Sequence, residues 1–114
     1  MRQCAFDIET DKKGTALIRA GWAVVEDGVA EPTLGTCMPH EVGDLVEQIA
    51  AADVIIGHNI ADFDIPFLAQ RLDTMRTAVA GKPVIDTLYL SPVAFPRNPY
   101  HHLYKDYKPY PLSQ

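Results

Sequence analysis

The sequence predicts an α/β protein with a mixed central sheet and helices packed on it. Strand-like segments come first in the chain, and helical periodicity appears only after a hairpin signal. The resulting order, β-β-β-α-β-α, is typical of a mixed sheet with flanking helices. The chain has 114 residues, of which 47% are hydrophobic, so it can form one domain around a single core.

The first predicted strand spans residues 2–9 and has two different faces. Cys4 alternates with other apolar residues on one face, whereas Asp7 and Glu9 leave the opposite face. The chain has two cysteines, too few for a disulfide framework, and Cys4 is expected to be a small buried hydrophobe rather than a reactive thiol.

The next elements follow from apolar runs and turn residues. Residues 15–25 are almost continuously apolar, as expected for a central strand covered on both faces. Asp27-Gly28 marks a tight hairpin into a third strand near 29–36. The later segments are predicted as a helix over 40–52, a strand over 54–57, a helix over 62–72, a strand at 84–85 and a helical turn over 87–90.

The chain divides into a core, residues 1–91, and a proline- and tyrosine-rich segment of the same domain, residues 92–114. A short helix is plausible over 100–107. The tyrosines and lysines of this segment either clamp a single strand or pack as part of a connecting segment.

Charge and hydropathy exclude some functions. A net charge of -5 argues against a high-affinity, non-specific nucleic-acid binder, but it is compatible with a metal-dependent enzyme because bound cations offset local carboxylates. No apolar run is long enough to cross a bilayer, and the first residues lack a secretory signal. A cytoplasmic protein without membrane contact is therefore expected.

Asp7 and Glu9 are the first candidate functional residues. On one strand face they lie roughly 7 Å apart and repel each other unless a cation lies between them. Carboxylate oxygens of this kind suit Mg²⁺, which also retains positions for water and phosphate. The alternative is an amphipathic edge strand with two solvated acids.

The second candidate segment, GHNIADFDIPFL, follows a buried strand and begins a helix. It places His58 and Asn59 in a loop and Asp64 in the first helical turn. Each also has a structural interpretation: Asn59 as a turn residue, His58 as a loop histidine, and Asp64 as an acid favoured by the helix dipole. Asp62 can serve as the N-cap.

These two segments together resemble one family. FDIET, which ends at Thr10, and N-x-x-x-F-D, from Asn59 to Asp64, look like the first two motifs of the DnaQ-like (DEDD) 3′–5′ exonucleases, which have an RNase H-like fold. The VIDTLYLS and FPRNPYHHL stretches further resemble the exonuclease domains found beside some RecQ-like helicases.

The resemblance implies a catalytic set and a cofactor. Asp7 would bridge two Mg²⁺ or Mn²⁺ ions, Glu9 would hold one of them, and Asp64 would be a further ligand for hydrolysis of a phosphodiester at a nucleic-acid 3′ end. Thr10 would face the terminal nucleotide. Asn59 with Phe63 would brace the helix opening or touch substrate.

The third family motif, a His or Tyr followed by Asp, is absent from the sequence given. Asp106 is a weak substitute ligand, and Asp86 fits an N-cap before Thr87 better than a ligand. Three explanations remain: a truncated or partly ordered piece of a longer nuclease, for example one fused to a helicase; a short protein that lost activity; or a site completed by a partner chain.

The functional alternatives follow from that absence. The favoured hypothesis is a metal-dependent 3′–5′ exonuclease on DNA or RNA. The second is an inactive nucleic-acid or protein interaction module, and the third is a structural domain with incidental acids. Because a missing last helix would uncover one sheet face, a homodimer or larger assembly is also expected.

Overall fold

The computed structural model describes residues 1–90 and 108–109. The segment predicted as 92–114, apart from 108–109, lies outside the described residues, and so do the predicted helix over 100–107 and Asp106. The elements in chain order are β1 (Arg2–Thr10), β2 (Leu17–Glu26), β3 (Thr33–Cys37), α1 (Val42–Ala51), β4 (Val54–Gly57), α2 (Ile65–Arg71), α3 (Asp73–Val79), β5 (Pro83–Asp86) and β6 (Lys108–Pro109).

The strands form one mixed sheet, as predicted, in the order β3-β2-β1-β4-β5-β6. β1, β2 and β3 pair antiparallel, β4 and β5 run parallel to β1, and β6 pairs antiparallel with β5. The chain passes through α1 between β3 and β4, which lie on opposite sides of the β2–β1 pair. It passes through α2 and α3 between the parallel neighbours β4 and β5, which is the long connection that a parallel pair requires. β1 therefore lies in the interior of the sheet, with an antiparallel strand on one side and a parallel strand on the other.

The core lies on one face of this sheet, where all three helices contribute side chains. The sheet contributes residues from alternate positions, including Cys4, Phe6 and Ile8, and α1 contributes Leu45 and Ile49. Burial raises the pKa of the Cys4 thiol to about 11, so this cysteine is protonated and packs as the expected hydrophobe.

Three sequence-based predictions need correction. β2 is not covered on both faces, because Arg19 and Val25 are exposed. The predicted second helix is divided: Ile60–Asp64 is a π-helical segment that leads into α2. Asp62 therefore lies inside a helical turn and is not its N-cap, a position that Asn59 occupies.

One further helix, α3, was not predicted. α3 begins directly after Leu72, whose extended backbone ends α2 and separates the two helices. Met75, Ala78 and Val79 bury one side of it against the core. The predicted helix ended at residue 72. Residues 73–79 mix polar and apolar side chains, and no element was predicted there. None of the helices in the described ranges is long and apolar enough to cross a membrane.

Candidate active site at the end of the central strand

Asp7 and Glu9 lie on the sheet face opposite the helices, and both are exposed. Ile8 lies between them and is buried in the core, as the strand alternation predicts. Across the β1–β2 pairing, Asp7 is opposite Gly21 and Glu9 is opposite Arg19. The two acids therefore project together from the carboxyl-terminal half of β1.

Asp64 reaches the same part of β1 from the loop after β4. It is only 3% exposed, and its Oδ2 accepts a hydrogen bond of 3.1 Å from the backbone N–H of Ile8. The β1–β4 pairing ends at Ala5 and Ile56. Beyond that point Asp64 takes the place of a neighbouring strand and satisfies a backbone donor that would otherwise be buried without a partner.

Gly57 permits this close approach at the end of β4. A Cβ atom there would lie 2.9 Å from the backbone oxygen of Phe6 and 2.3 Å from Ile60 Cγ2. Such distances are far shorter than ordinary contacts, so only glycine allows the chain to turn this tightly beside β1. The turn then delivers Asp64 to the strand that carries Asp7 and Glu9.

The electrostatic environment of Asp64 is unusual for an aspartate. Burial raises its pKa to about 6, the Ile8 hydrogen bond opposes that rise, and the nearby charges of Asp7 and Asp86 add to it. A buried carboxylate close to another acid is costly unless a cation compensates for both. The arrangement therefore favours binding of a positive ion beside Asp7 and Asp64.

The donor chemistry fits a hard divalent cation, because all three candidate ligands are carboxylates. The side chains are not, however, assembled around one point: within the described ranges, no three His, Cys, Asp or Glu side chains converge as a ligand set. Glu9 is turned instead toward Arg19, whose Nε lies 2.6 Å from Glu9 Oε2. The structure thus brings Asp7 and Asp64 close together and pairs Glu9 with a neighbouring cation.

The predicted substrate residues occupy two sides of this region. Thr10 is half-buried at a register shift that ends β1. Phe63 is 36% exposed, and its ring lies 5.8 Å from that of Phe67. Asn59 has a left-handed backbone, with φ of 58°, and its carbonyl accepts a hydrogen bond from the Phe63 N–H. Asn59 therefore braces the helix opening, one of its two expected roles.

Asp86 holds the loop that carries the second motif. It is buried at the end of β5, and its carboxylate accepts hydrogen bonds from the backbone N–H groups of Asn59, Ala61 and Leu88 at 2.6, 3.1 and 3.0 Å. The bond to Leu88 confirms the predicted N-cap. The other two bonds were not foreseen, because they depend on the adjacent ends of β4 and β5.

Arg19 is a site residue that the sequence analysis missed. A groove of about 440 Å³ runs beside the acids, and its lining includes Asp7, Glu9, Arg19, Gly21 and Thr36. Arg19 comes from a strand whose only other charged residue is Glu26 at its end, and nothing in its spacing indicates the register that places it opposite Glu9. The sequence offered no signal for this pairing.

A connecting loop packs against α2 next to these residues. Asp11 closes the loop by accepting hydrogen bonds from the backbone N–H groups of Thr15 and Ala16. Arg71 of α2 donates to the Thr15 carbonyl at 2.6 Å and stacks on the Phe67 ring, 3.5 Å from its centroid. The loop between β1 and β2 is thus fixed to the helix that follows the second motif.

Comparison with known proteins agrees with this fold. A family model described as DNA polymerase family B, exonuclease domain, matches residues 44–87. That stretch includes Asp64 but not Asp7 or Glu9. No curated protein sequence matches the chain. The narrower resemblance to exonuclease domains of RecQ-like helicases receives no support from these comparisons.

A solved structure gives the same indication over a longer part of the chain. The family B DNA polymerase from the hyperthermophilic archaeon Pyrobaculum calidifontis aligns with a TM-score of 0.57 and 19% sequence identity. The alignment covers 84% of this chain and 16% of that polymerase. In fold, the chain is an α/β protein that matches the RNase H-like fold, and its residues 44–87 are similar to the exonuclease domain of family B DNA polymerases.

Proposed function

We propose that this chain forms the core of a metal-dependent 3′–5′ exonuclease that hydrolyses DNA. One observation carries the proposal: the buried Asp64 carboxylate is bonded to β1 at Ile8, between the exposed acids Asp7 and Glu9. An acidic cluster at a strand end is the arrangement that two-metal nucleases use to hold their ions. The similarity to a DNA polymerase exonuclease domain favours DNA over RNA as the substrate.

The residues have distinct roles in this proposal. Asp7, Glu9 and Asp64 would hold two Mg²⁺ or Mn²⁺ ions. When bound, these ions would lower the pKa of the attacking water and stabilise the leaving 3′ oxygen. Thr10 and the half-exposed Phe63 flank the acids and orient the terminal nucleotide. Asn59 and Asp86 keep the second-motif loop in place, so they act as positioning residues.

Asp86 does not supply the fourth carboxylate of the family pattern. Asp86 is close, but its oxygens already accept three backbone hydrogen bonds. Moving it to a metal ion would leave buried N–H groups unpaired, which costs roughly 1–3 kcal/mol for each group. A fourth carboxylate would therefore have to come from Glu41, which lines the same groove as Asp7 and Glu9, from another part of the protein or from a partner chain.

The test is cleavage, in the presence of Mn²⁺, of a DNA strand that has a free 3′ end and a label at its 5′ end. The wild-type chain is expected to give a ladder of shortened products that disappears in EDTA. Asp7→Asn keeps the shape of the side chain but removes its charge, and it should slow cleavage by on the order of 100-fold or more. Asp62→Asn, which changes an exposed acid outside the cluster, is the matched control.

The second candidate function is an interaction module that binds a 3′ end without cleaving it. It is favoured by one observation, the absence of a converged three-ligand set among the described residues. Equal ladders from wild type and Asp7→Asn would contradict the exonuclease proposal. Strand binding without any product, and without calorimetric Mn²⁺ binding, would support the module instead.

A further inference from the structure

Arg19 is the one basic residue among those that line the groove beside Asp7, where the other charged lining residues are Asp7, Glu9 and Glu41. A phosphodiester entering this groove meets three acids, which repel it. Gly21, opposite Asp7, adds no side chain to the groove. Within this lining, only Arg19 offers a fixed positive charge with the forked geometry that suits a phosphate group.

In the structure, the guanidinium of Arg19 is held by the Glu9 carboxylate. Its Nε lies 2.6 Å from Glu9 Oε2, and both side chains are more than half exposed. An ion pair at an exposed position is weak, so it can be exchanged readily. Glu9 is also a candidate metal ligand, and a divalent ion bound there would repel the guanidinium that now shares its carboxylate.

We propose that Arg19 is a phosphate-binding residue that Glu9 holds in the metal-free chain and that a divalent ion at Asp7 and Glu9 releases into the groove. Metal binding and strand binding are then coupled through one side chain. With an ion at Asp7 and Glu9, the Glu9 carboxylate would no longer hold the guanidinium of Arg19, which could then bind a phosphate of the strand. This inference rests on the proposed exonuclease function, since it requires an ion at those two acids.

The first measurement is Mn²⁺ binding to the free chain by calorimetry, with no nucleic acid present. Arg19→Gln removes the guanidinium that competes with Mn²⁺ for the Glu9 carboxylate. This variant is expected to bind Mn²⁺ about three- to fivefold more tightly than the wild type, because an exposed ion pair contributes about that much. Lys12→Gln removes one positive charge from the neighbouring loop, where Lys12 is exposed. It should stay within twofold of the wild type, which separates the specific pair from the general charge.

The second measurement is the affinity for a single DNA strand whose 3′-terminal linkages are phosphorothioates, with Mn²⁺ and with EDTA. In Mn²⁺, Arg19→Gln should weaken strand binding by about five- to tenfold, the loss of one charge-assisted phosphate contact. In EDTA the same variant should bind the strand within about twofold of the wild type, because the Arg19–Glu9 pair then competes with the phosphate contact. Arg19→Lys, which keeps the charge without the fork, should recover part of the affinity in Mn²⁺.

The outcomes distinguish the two proposals. If wild type and Asp7→Asn both fail to bind Mn²⁺, the exonuclease proposal fails, and the role of Arg19 fails with it. If the wild type binds Mn²⁺ but Arg19→Gln binds it equally well, only the Arg19 proposal is overturned. A loss of strand affinity of the same size in Mn²⁺ and EDTA would also overturn it, because Arg19 would then be available without the metal.

Discussion

Asp64 shows how one residue can be unfavourable for folding and useful for function. Its carboxylate is buried beside Asp7 and Asp86, and that burial raises its pKa to about 6. In the unfolded chain the same group has an ordinary pKa near 4. The folded chain therefore binds a proton at Asp64 more tightly than the unfolded chain does, and its ionised form weakens the fold.

The sign of this effect gives a prediction for the metal-free chain. As pH rises from about 4 to above 6, the unfolded chain loses the Asp64 proton first, so this group lowers the free energy of unfolding by on the order of 2–3 kcal/mol. Asp64→Asn keeps an oxygen that can accept the Ile8 hydrogen bond and carries no charge. Urea unfolding in EDTA should show this variant to be more stable than the wild type at pH 7.5.

The control for this prediction is the same comparison at pH 4, where Asp64 is protonated in the folded chain. There the two proteins should differ by less than about 0.5 kcal/mol, which is the range of a neutral substitution. A constant difference between wild type and Asp64→Asn across the whole pH range would show that the Asp64 charge is not the cause.

At the scale of single elements, the loop between β4 and α2 depends on Asp86. The Asn59 backbone is left-handed, a conformation that asparagine tolerates better than most residues. Its N–H and that of Ala61 both donate to the Asp86 carboxylate at the end of the neighbouring strand. The position of Asp64 thus depends on a side chain from the next strand of the sheet.

Asp86→Ala removes the acceptor of three backbone donors, so we expect it to reduce the free energy of unfolding by roughly 2–4 kcal/mol. Cleavage activity should also fall, because Asp64 would no longer be held beside Ile8. Asp62→Ala lies in the same segment but is exposed, and it should change stability by about 0.5 kcal/mol or less. Denaturant unfolding of both variants measures the difference, and equal losses would contradict the role of Asp86.

The β2–β3 pairing depends on a contact between Trp22 and Gly35, which lie opposite each other. A Cβ atom at Gly35 would come within 2.2 Å of the Trp22 ring. Gly21, one residue earlier on β2, has only ordinary contacts of 3.7 Å or more for the same added atom. These two glycines therefore form a matched pair on adjacent strands.

Gly35→Ala should destabilise the chain by about 1–3 kcal/mol, because the Trp22 ring has to move in a packed interface. Its fluorescence should change too, and Trp22 is the single tryptophan of the chain. Gly21→Ala should leave both the fluorescence and the unfolding midpoint close to those of the wild type. If the two substitutions cost the same, the close Trp22 contact does not contribute to stability.

At the scale of the whole molecule, the two faces of the sheet differ. The helices cover one face, whereas the other exposes apolar side chains on neighbouring strands, including Val25 at 46% and Leu34 at 74%. Adjacent exposed apolar residues on a sheet favour association, and β3 is the edge strand beside them. The uncovered face expected from the sequence is thus present among the described residues.

We predict that the chain forms dimers or larger assemblies through this face. Size-exclusion chromatography with light scattering should give a mass that rises with concentration, and Leu34→Ser should shift the chain toward the monomer. Val29→Ser changes an exposed valine in the turn before β3 and serves as the control. A monomer at every concentration would contradict this prediction.

The sequence by itself predicted most of the architecture and singled out the acids of the candidate site. Alternation in β1 placed Asp7 and Glu9 on one face, and Asp27-Gly28 lies in the connection between β2 and β3, where Gly28 has a φ of 81°. The tight hairpin predicted there is wrong, because the β2–β3 pairing ends at Val24 and Thr33 and residues 25–32 connect the two strands. VIIG was predicted as a strand with the bounds that β4 has. These features are local, because strand period and turn chemistry are set by neighbours in the chain.

Only the tertiary structure decided how those parts meet. The Asp64 bond to Ile8, the Asp86 bonds to the second-motif loop and the Arg19–Glu9 pair each join residues from different strands or loops. Such contacts depend on strand register and on which strands become neighbours, and no local pattern encodes either. The candidate acids Asp7, Glu9 and Asp64 could therefore be predicted from the sequence. The burial of Asp64 and the pairing of Glu9 with Arg19 depend on how the strands and loops assemble.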